Sequence, residues 1–186
     1  MKIVKSMTLF LGRLSLAAVS LFVPAASAQS GFPLLGSFSV SAEATPNTGG
    51  AVFCGGSATD QLIIEAHGTG FSTMGPFIFT LQKTLNFATG EYHGCLVLTA
   101  PNGDTLKANY HLTQQSSGSG NFSTASGTVS VTGGTGRFRG ATGALKATGV
   151  FLNQYSSSSF LGGGMAPLQV AADYVISGSI SFSDGN

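Results

Sequence analysis

Apolar residues recur at every second position along much of this chain. In Thr128-Val129-Ser130-Val131-Thr132 the alternation is clean, and it returns in the second half of Tyr174-Val175-Ile176-Ser177-Gly178-Ser179-Ile180-Ser181-Phe182. Phe77-Ile78-Phe79-Thr80-Leu81 and Cys95-Leu96-Val97-Leu98 are short apolar runs bounded by Gly, Pro and Asn. A period of two puts alternate side chains on opposite faces of a strand, whereas a helix needs a period near 3.6. Turn signals punctuate the runs at Thr89-Gly90, Pro101-Asn102-Gly103-Asp104, Gly118-Ser119-Gly120 and Gly133-Gly134.

The pattern predicts eight strands, near residues 34–44, 58–70, 76–87, 91–99, 104–114, 124–132, 140–151 and 170–182. Short connections make most neighbours antiparallel hairpins. Such strands either pack as a sandwich or close into a barrel. Closure removes exposed edges, which a chain with 8% charged residues has little means of protecting. The expected fold is therefore all-β, an eight-stranded antiparallel barrel with little or no helix.

Composition narrows the picture. Glycine occurs 27 times, and each interior helical Gly costs about 1 kcal/mol. A membrane-spanning barrel would show aromatic girdles and long outward apolar faces. This chain has no Trp, 4 Tyr, and 14 Phe that fall mostly in strand interiors and turns. No membrane span is expected in the mature chain.

The N-terminus reads as a leader. Lys2, Lys5 and Arg13 supply positive charge, Leu14 to Val23 an apolar stretch, and Ala26-Ser27-Ala28 a small-x-small cleavage site before Gln29. The apolar run is too short for a transmembrane helix, and no cysteine stands at the cleavage point to carry a lipid. Residues 1–28 are expected to be a signal peptide and 29–186 one barrel domain, periplasmic or extracellular. Losing the three leader cations moves the formal charge from +1 to −2. The remaining basic residues form no cluster, which excludes nucleic acid as an expected partner.

Cys54 and Cys95 are the only cysteines. In an oxidising compartment an even pair reads as one disulfide, with two separate buried thiols as the alternative. Their wide spacing makes no metal knuckle.

Val129 to Gly140 contains a Thr-Gly-Gly-Thr-Gly run after a strand, which evokes a dinucleotide-binding turn. Arg139 stands where the third glycine belongs, and no apolar helix follows to offer its N-terminus to a pyrophosphate. No cofactor is expected. Gly133, Gly134, Gly136 and Gly140 instead form a structural turn motif with Arg137 and Phe138, in which Gly133, Gly134 and Gly136 permit positive φ. Phe138 would then plug a barrel end, with Arg137 and Arg139 in solvent.

The stretch Val131-Thr132-Gly133-Gly134-Thr135-Gly136-Arg137-Phe138-Arg139-Gly140-Ala141-Thr142-Gly143 resembles the turn shared by plant dirigent proteins and the allene oxide cyclase barrel superfamily. It is closer still to small exported bacterial barrel proteins. Gly68-Thr69-Gly70-Phe71-Ser72-Thr73-Met74-Gly75-Pro76-Phe77 and Leu98-Thr99-Ala100-Pro101-Asn102-Gly103-Asp104-Thr105-Leu106 resemble two further motifs of that bacterial group. The resemblance implies an eight-stranded antiparallel barrel. The plant proteins handle hydrophobic epoxides or phenolic radicals, but they match only at the glycine-rich turn, so their functional residues have no counterparts here. Because the likeness is bacterial, the glycosylation sequon Asn121-Phe122-Ser123 reads as coincidence.

The remaining chemistry rests on histidines. Glu65-Ala66-His67 and Glu91-Tyr92-His93 each set a carboxylate and an imidazole on one strand face, and His111 lies on another strand. Facing inward and converging, Glu65, His67, Glu91 and His93 are the candidate catalytic set, able to hold a metal or run acid–base chemistry. Facing outward they are solvated positions, and no metal is expected. No Gly-x-Ser-x-Gly elbow occurs. The segment 156–167 is a loop, and as a lid its Phe160, Leu161 and Met165 would touch a ligand. Three functions follow: a binding module for a small hydrophobic ligand, a filled structural barrel of the envelope, or an isomerase or cyclase acting on a hydrophobic substrate.

Overall fold

The computed structural model describes residues 31–116, 121–155 and 167–183. The expected leader, Met1–Ala28, lies outside the described residues. Eight strands follow one another: β1 (Phe32–Pro46), β2 (Leu62–Ser72), β3 (Gly75–Asn86), β4 (Glu91–Thr99), β5 (Thr105–Ser116), β6 (Phe122–Gly134), β7 (Ala141–Tyr155) and β8 (Pro167–Phe182). Each pairs antiparallel with its sequence neighbour, and β8 pairs with β1 to close the barrel. The fold is the all-β, eight-stranded antiparallel barrel expected from the alternation. Among the described residues the only helical turn is a 3-10 turn, Gly136–Phe138.

The alternation sorts side chains between the two faces of the wall. On β1, Leu34, Phe38, Val40, Ala42 and Ala44 point in, while Ser37, Ser39, Ser41 and Glu43 point out. The interior is closely filled and rich in rings, with Phe38, Phe79, Phe151, Tyr110 and Tyr174 nearly inaccessible. Gly149 makes room among them, since a Cβ there would press on the Tyr174 and Phe151 rings. The outer face is mixed, its Ser and Thr positions interspersed with exposed Leu35, Ile78, Phe122, Val150, Leu152 and Val175. No helix among the described residues is long and apolar enough to cross a membrane.

One end of the barrel is closed by the glycine-rich turn. Phe138 is fully buried, its ring 5.7 Å from that of Phe77, while Arg137 and Arg139 are exposed. Gly136 and Gly140 hold φ of +54° and +69°, the left-handed region that favours glycine. The backbone N–H of Arg137 donates to Asp104 (3.2 Å), and its guanidinium donates to the carbonyl of Met74 (3.2 Å). The three stretches that carry the sequence likeness thus meet at this end.

β2 begins at Leu62, not near residue 58 as expected. The cause is Asp60. Its carboxylate accepts from the Ser57 N–H (2.9 Å), and its own N–H donates to the Ser57 carbonyl (3.0 Å), folding 57–60 into a turn. This turn belongs to a loop over 47–61 that lies against the outer wall. A disulfide between Cys54 and Cys95 of β4 pins it there, with the Cα atoms 5.2 Å apart. Beneath it Thr84, on the outward face of β3, is fully buried and donates to Asp60 (2.5 Å).

Candidate functional site

The catalytic set considered from sequence does not converge inside the barrel. Glu65 and His67 occupy exposed positions of β2, and Glu91 and His93 take the outward parity of β4, whose Tyr92, Leu96 and Leu98 point in. The physical reason is register: Ala66 and Tyr92, between the members of each pair, are core residues. Interior acid–base chemistry by these four therefore has no geometry. Glu91 and His93 do meet His111 on the outer wall, whereas His67 pairs across from Thr80, a further strand away from β4. Phe160, Leu161 and Met165 lie outside the described residues.

What the interior does hold is a lysine. On β3 the inward sequence is Phe77, Phe79, Leu81, Lys83, Leu85, and Lys83 is 2% exposed. Its ammonium donates to the Tyr174 hydroxyl (3.2 Å) and sits over aromatic faces, 4.2 Å from the Tyr92 centroid and 5.0 Å from that of Phe151. Among the described residues it makes no ion pair within 4.0 Å.

Desolvation sets the state of this amine. Burying an ammonium costs several kcal/mol even after relaxation. A desolvated cation–π contact returns about 2 kcal/mol, and a charged hydrogen bond about 1.5–3 kcal/mol. Burial consequently pushes the Lys83 amine down to about 7, so neutral and charged forms coexist near neutral pH. Burial also raises the Tyr174 hydroxyl above its ordinary range, and the Tyr110 hydroxyl well above it, the latter helped by the nearby Tyr174 and Tyr92 oxygens. Among the described residues the Tyr110 hydroxyl, fully buried, finds no hydrogen bond of good geometry, its ring meeting Tyr174 edge-on at 6.1 Å.

Lys83 and Tyr174 lie on the wall of a narrow cleft at the barrel end opposite Phe138. Ile64, Tyr92, Asn153 and Val170 also line it, and no acidic residue does. The space is about 10 Å³, about one water's worth. Asn153, near this end, donates to Ser123 (3.1 Å), closing a small polar rim over the apolar wall.

Lys83 was missed from sequence because a lone lysine in a strand is normally read as solvated. The signal was present nonetheless, since Lys83 shares the parity of four large apolar residues. Compared with known proteins, the chain matches no family model, and no curated protein matches it.

Proposed function

We propose that this is an exported binding barrel whose interior cleft takes a small, mostly apolar molecule carrying one acidic or carbonyl oxygen. The observation that carries this reading is Lys83, a buried amine with donors to spare and, among the described residues, no counter-ion. A depressed, desolvated lysine in a cleft marks a functional-site candidate. A carboxylate or carbonyl head would accept from its ammonium, and the apolar wall would hold the tail. Entry requires side chains at the Asn153 end to give way, because the closed cleft admits only about one water. The Cys54–Cys95 disulfide supports an oxidising compartment, and with the leader-like N-terminus it supports export to the periplasm or beyond. The glycine-rich turn and the closed barrel support membership of the allene oxide cyclase and dirigent-like group.

The dense filling of the interior favours a second reading, a structural barrel without a ligand. Calorimetric titration with decanoate and with decanol separates the two. Binding of decanoate at one per chain, weaker for decanol and lost in Lys83→Met, is the expected result. Failure of both probes to bind would leave the filled structural barrel.

A further inference from the structure

The outer wall carries a second cluster, independent of the interior cleft. His93 on β4 and His111 on β5 are direct cross-strand partners. Their rings stack with centroids 4.2 Å apart and planes 10° from parallel. Glu91, two residues before His93 on the same face, sets one carboxylate oxygen 3.7 Å from His111 Nε2 and the other 4.0 Å from His93 Nε2. One ligand atom from each of the three lies within 4.8 Å of the others. We infer that Glu91, His93 and His111 form a site for one borderline divalent transition-metal ion of the Zn2+ or Cu2+ class.

The donor set selects the ion. Two imidazoles and one carboxylate suit zinc and copper, whereas calcium and magnesium want more oxygen ligands. Metal–ligand bonds of about 2.0–2.2 Å at tetrahedral angles put donors about 3.3–3.5 Å apart. Closing on an ion therefore asks the donors to approach by up to about 1.4 Å and the stacked rings to swing out of parallel so that both Nε2 lone pairs converge, movements open to side chains that face solvent on one side.

The backbone beneath is well held. The two histidines sit on paired strands, and Cys95, two residues beyond His93, anchors the 47–61 loop against the same wall. Gly55 of that loop lies on the Nδ1 side of the His93 ring, while Glu91 stands at its Nε2. The lateral neighbours are Thr84 beside His93 and Thr128 beside His111, neither of which brings a competing cation. Three protein donors leave at least one position for water or an incoming ligand.

The test uses untagged protein stripped with chelator and titrated with ZnCl2, with Co2+ as a spectroscopic stand-in. The expected result is saturable uptake of one ion per chain and a visible Co2+ spectrum. His93→Ala and His111→Ala should each weaken uptake at least about tenfold, while His67→Ala leaves it unchanged. Circular dichroism establishes that each variant keeps its strands, and Glu91→Gln provides a further, milder loss should one of the alanine variants fail to fold. No saturable uptake by the wild-type chain overturns the site. So does uptake that survives His111→Ala in a folded variant, or that His67→Ala reduces equally.

Discussion

The ammonium of Lys83 lies 3.2 Å from the hydroxyl of Tyr174 across the barrel interior, linking β3 to β8. These strands are not neighbours in the wall, so the contact spans the lumen through the centre of the ring cluster. Phe79 stacks on Tyr174 with centroids 5.6 Å apart, and Phe151 meets Tyr174 edge-on at 5.5 Å. Among the described residues, the groups the amine touches are rings and a phenol that carry no negative charge near neutral pH.

This arrangement makes stability rise with pH. Folded Lys83 loses its proton near 7, while an unfolded lysine keeps it to about 10.4. Between those values the unfolded chain holds more protons, so unfolding free energy increases, by at most on the order of 5 kcal/mol. Below pH 7 both states are charged and the full cost of burial is present. Above about pH 10 the unfolded tyrosines ionise before Tyr110 and Tyr174 do, and stability falls again. Urea midpoints measured from pH 6 to 9 should climb in the wild type. In Lys83→Met they should be higher at pH 6 and flat across the range.

Reduction of the Cys54–Cys95 bond should cost about 3–4 kcal/mol, from a separation of 41 residues in the chain-entropy account. The effect is also local. Amide exchange over 47–61 should accelerate before exchange in the barrel strands does, and hydrogen-exchange mass spectrometry with and without reductant reads both.

Asp60 predicts acid sensitivity at the same loop. Burial pushes its carboxyl upward, but hydrogen bonds from Ser57, Thr84 and Asn86, with the charge of His93, outweigh that and hold it below the ordinary value. A depressed carboxyl adds stability above its unfolded value, and the gain is lost as pH falls below about 4. Asp60→Asn should destabilise by about 1–3 kcal/mol at pH 7 and blunt that acid loss, as denaturation curves at pH 3 and 7 would show.

Gly136 and Gly103 both have positive φ, +54° and +86°, but only Gly136 is crowded. A Cβ at Gly136 would collide with the Asp104 carboxylate, whereas one at Gly103 meets nothing within 4 Å. Gly136→Ala should therefore cost more than the roughly 1–3 kcal/mol of backbone strain that limits Gly103→Ala. Paired thermal melts of the two variants test the difference.

Much of this was legible in the sequence, and the exceptions have physical causes. Period two along Val129–Val131 and Phe77–Leu81 was enough for strands, and low charge argued for closure. The start of β2 was misjudged because Asp60 turns the chain through side-chain hydrogen bonds that periodicity does not register. The pairing of His93 with His111 needed strand register, and the Asn102 turn holds that information. His93 is nine residues before Asn102 and His111 nine after, a symmetry the Thr99–Thr105 pair preserves. Lys83 was visible as parity alone, but only the closed barrel shows that its parity is a dry one.

Native mass spectrometry of the protein purified without detergent from the cells that make it, beside Lys83→Met prepared identically, tests the interior site most directly. The account predicts one small organic adduct per wild-type chain, released on denaturation and missing from Lys83→Met, distinct in mass from any metal ion on the outer wall. A bare wild-type mass that stays bare with excess decanoate, or an adduct that Lys83→Met retains in full, would contradict it.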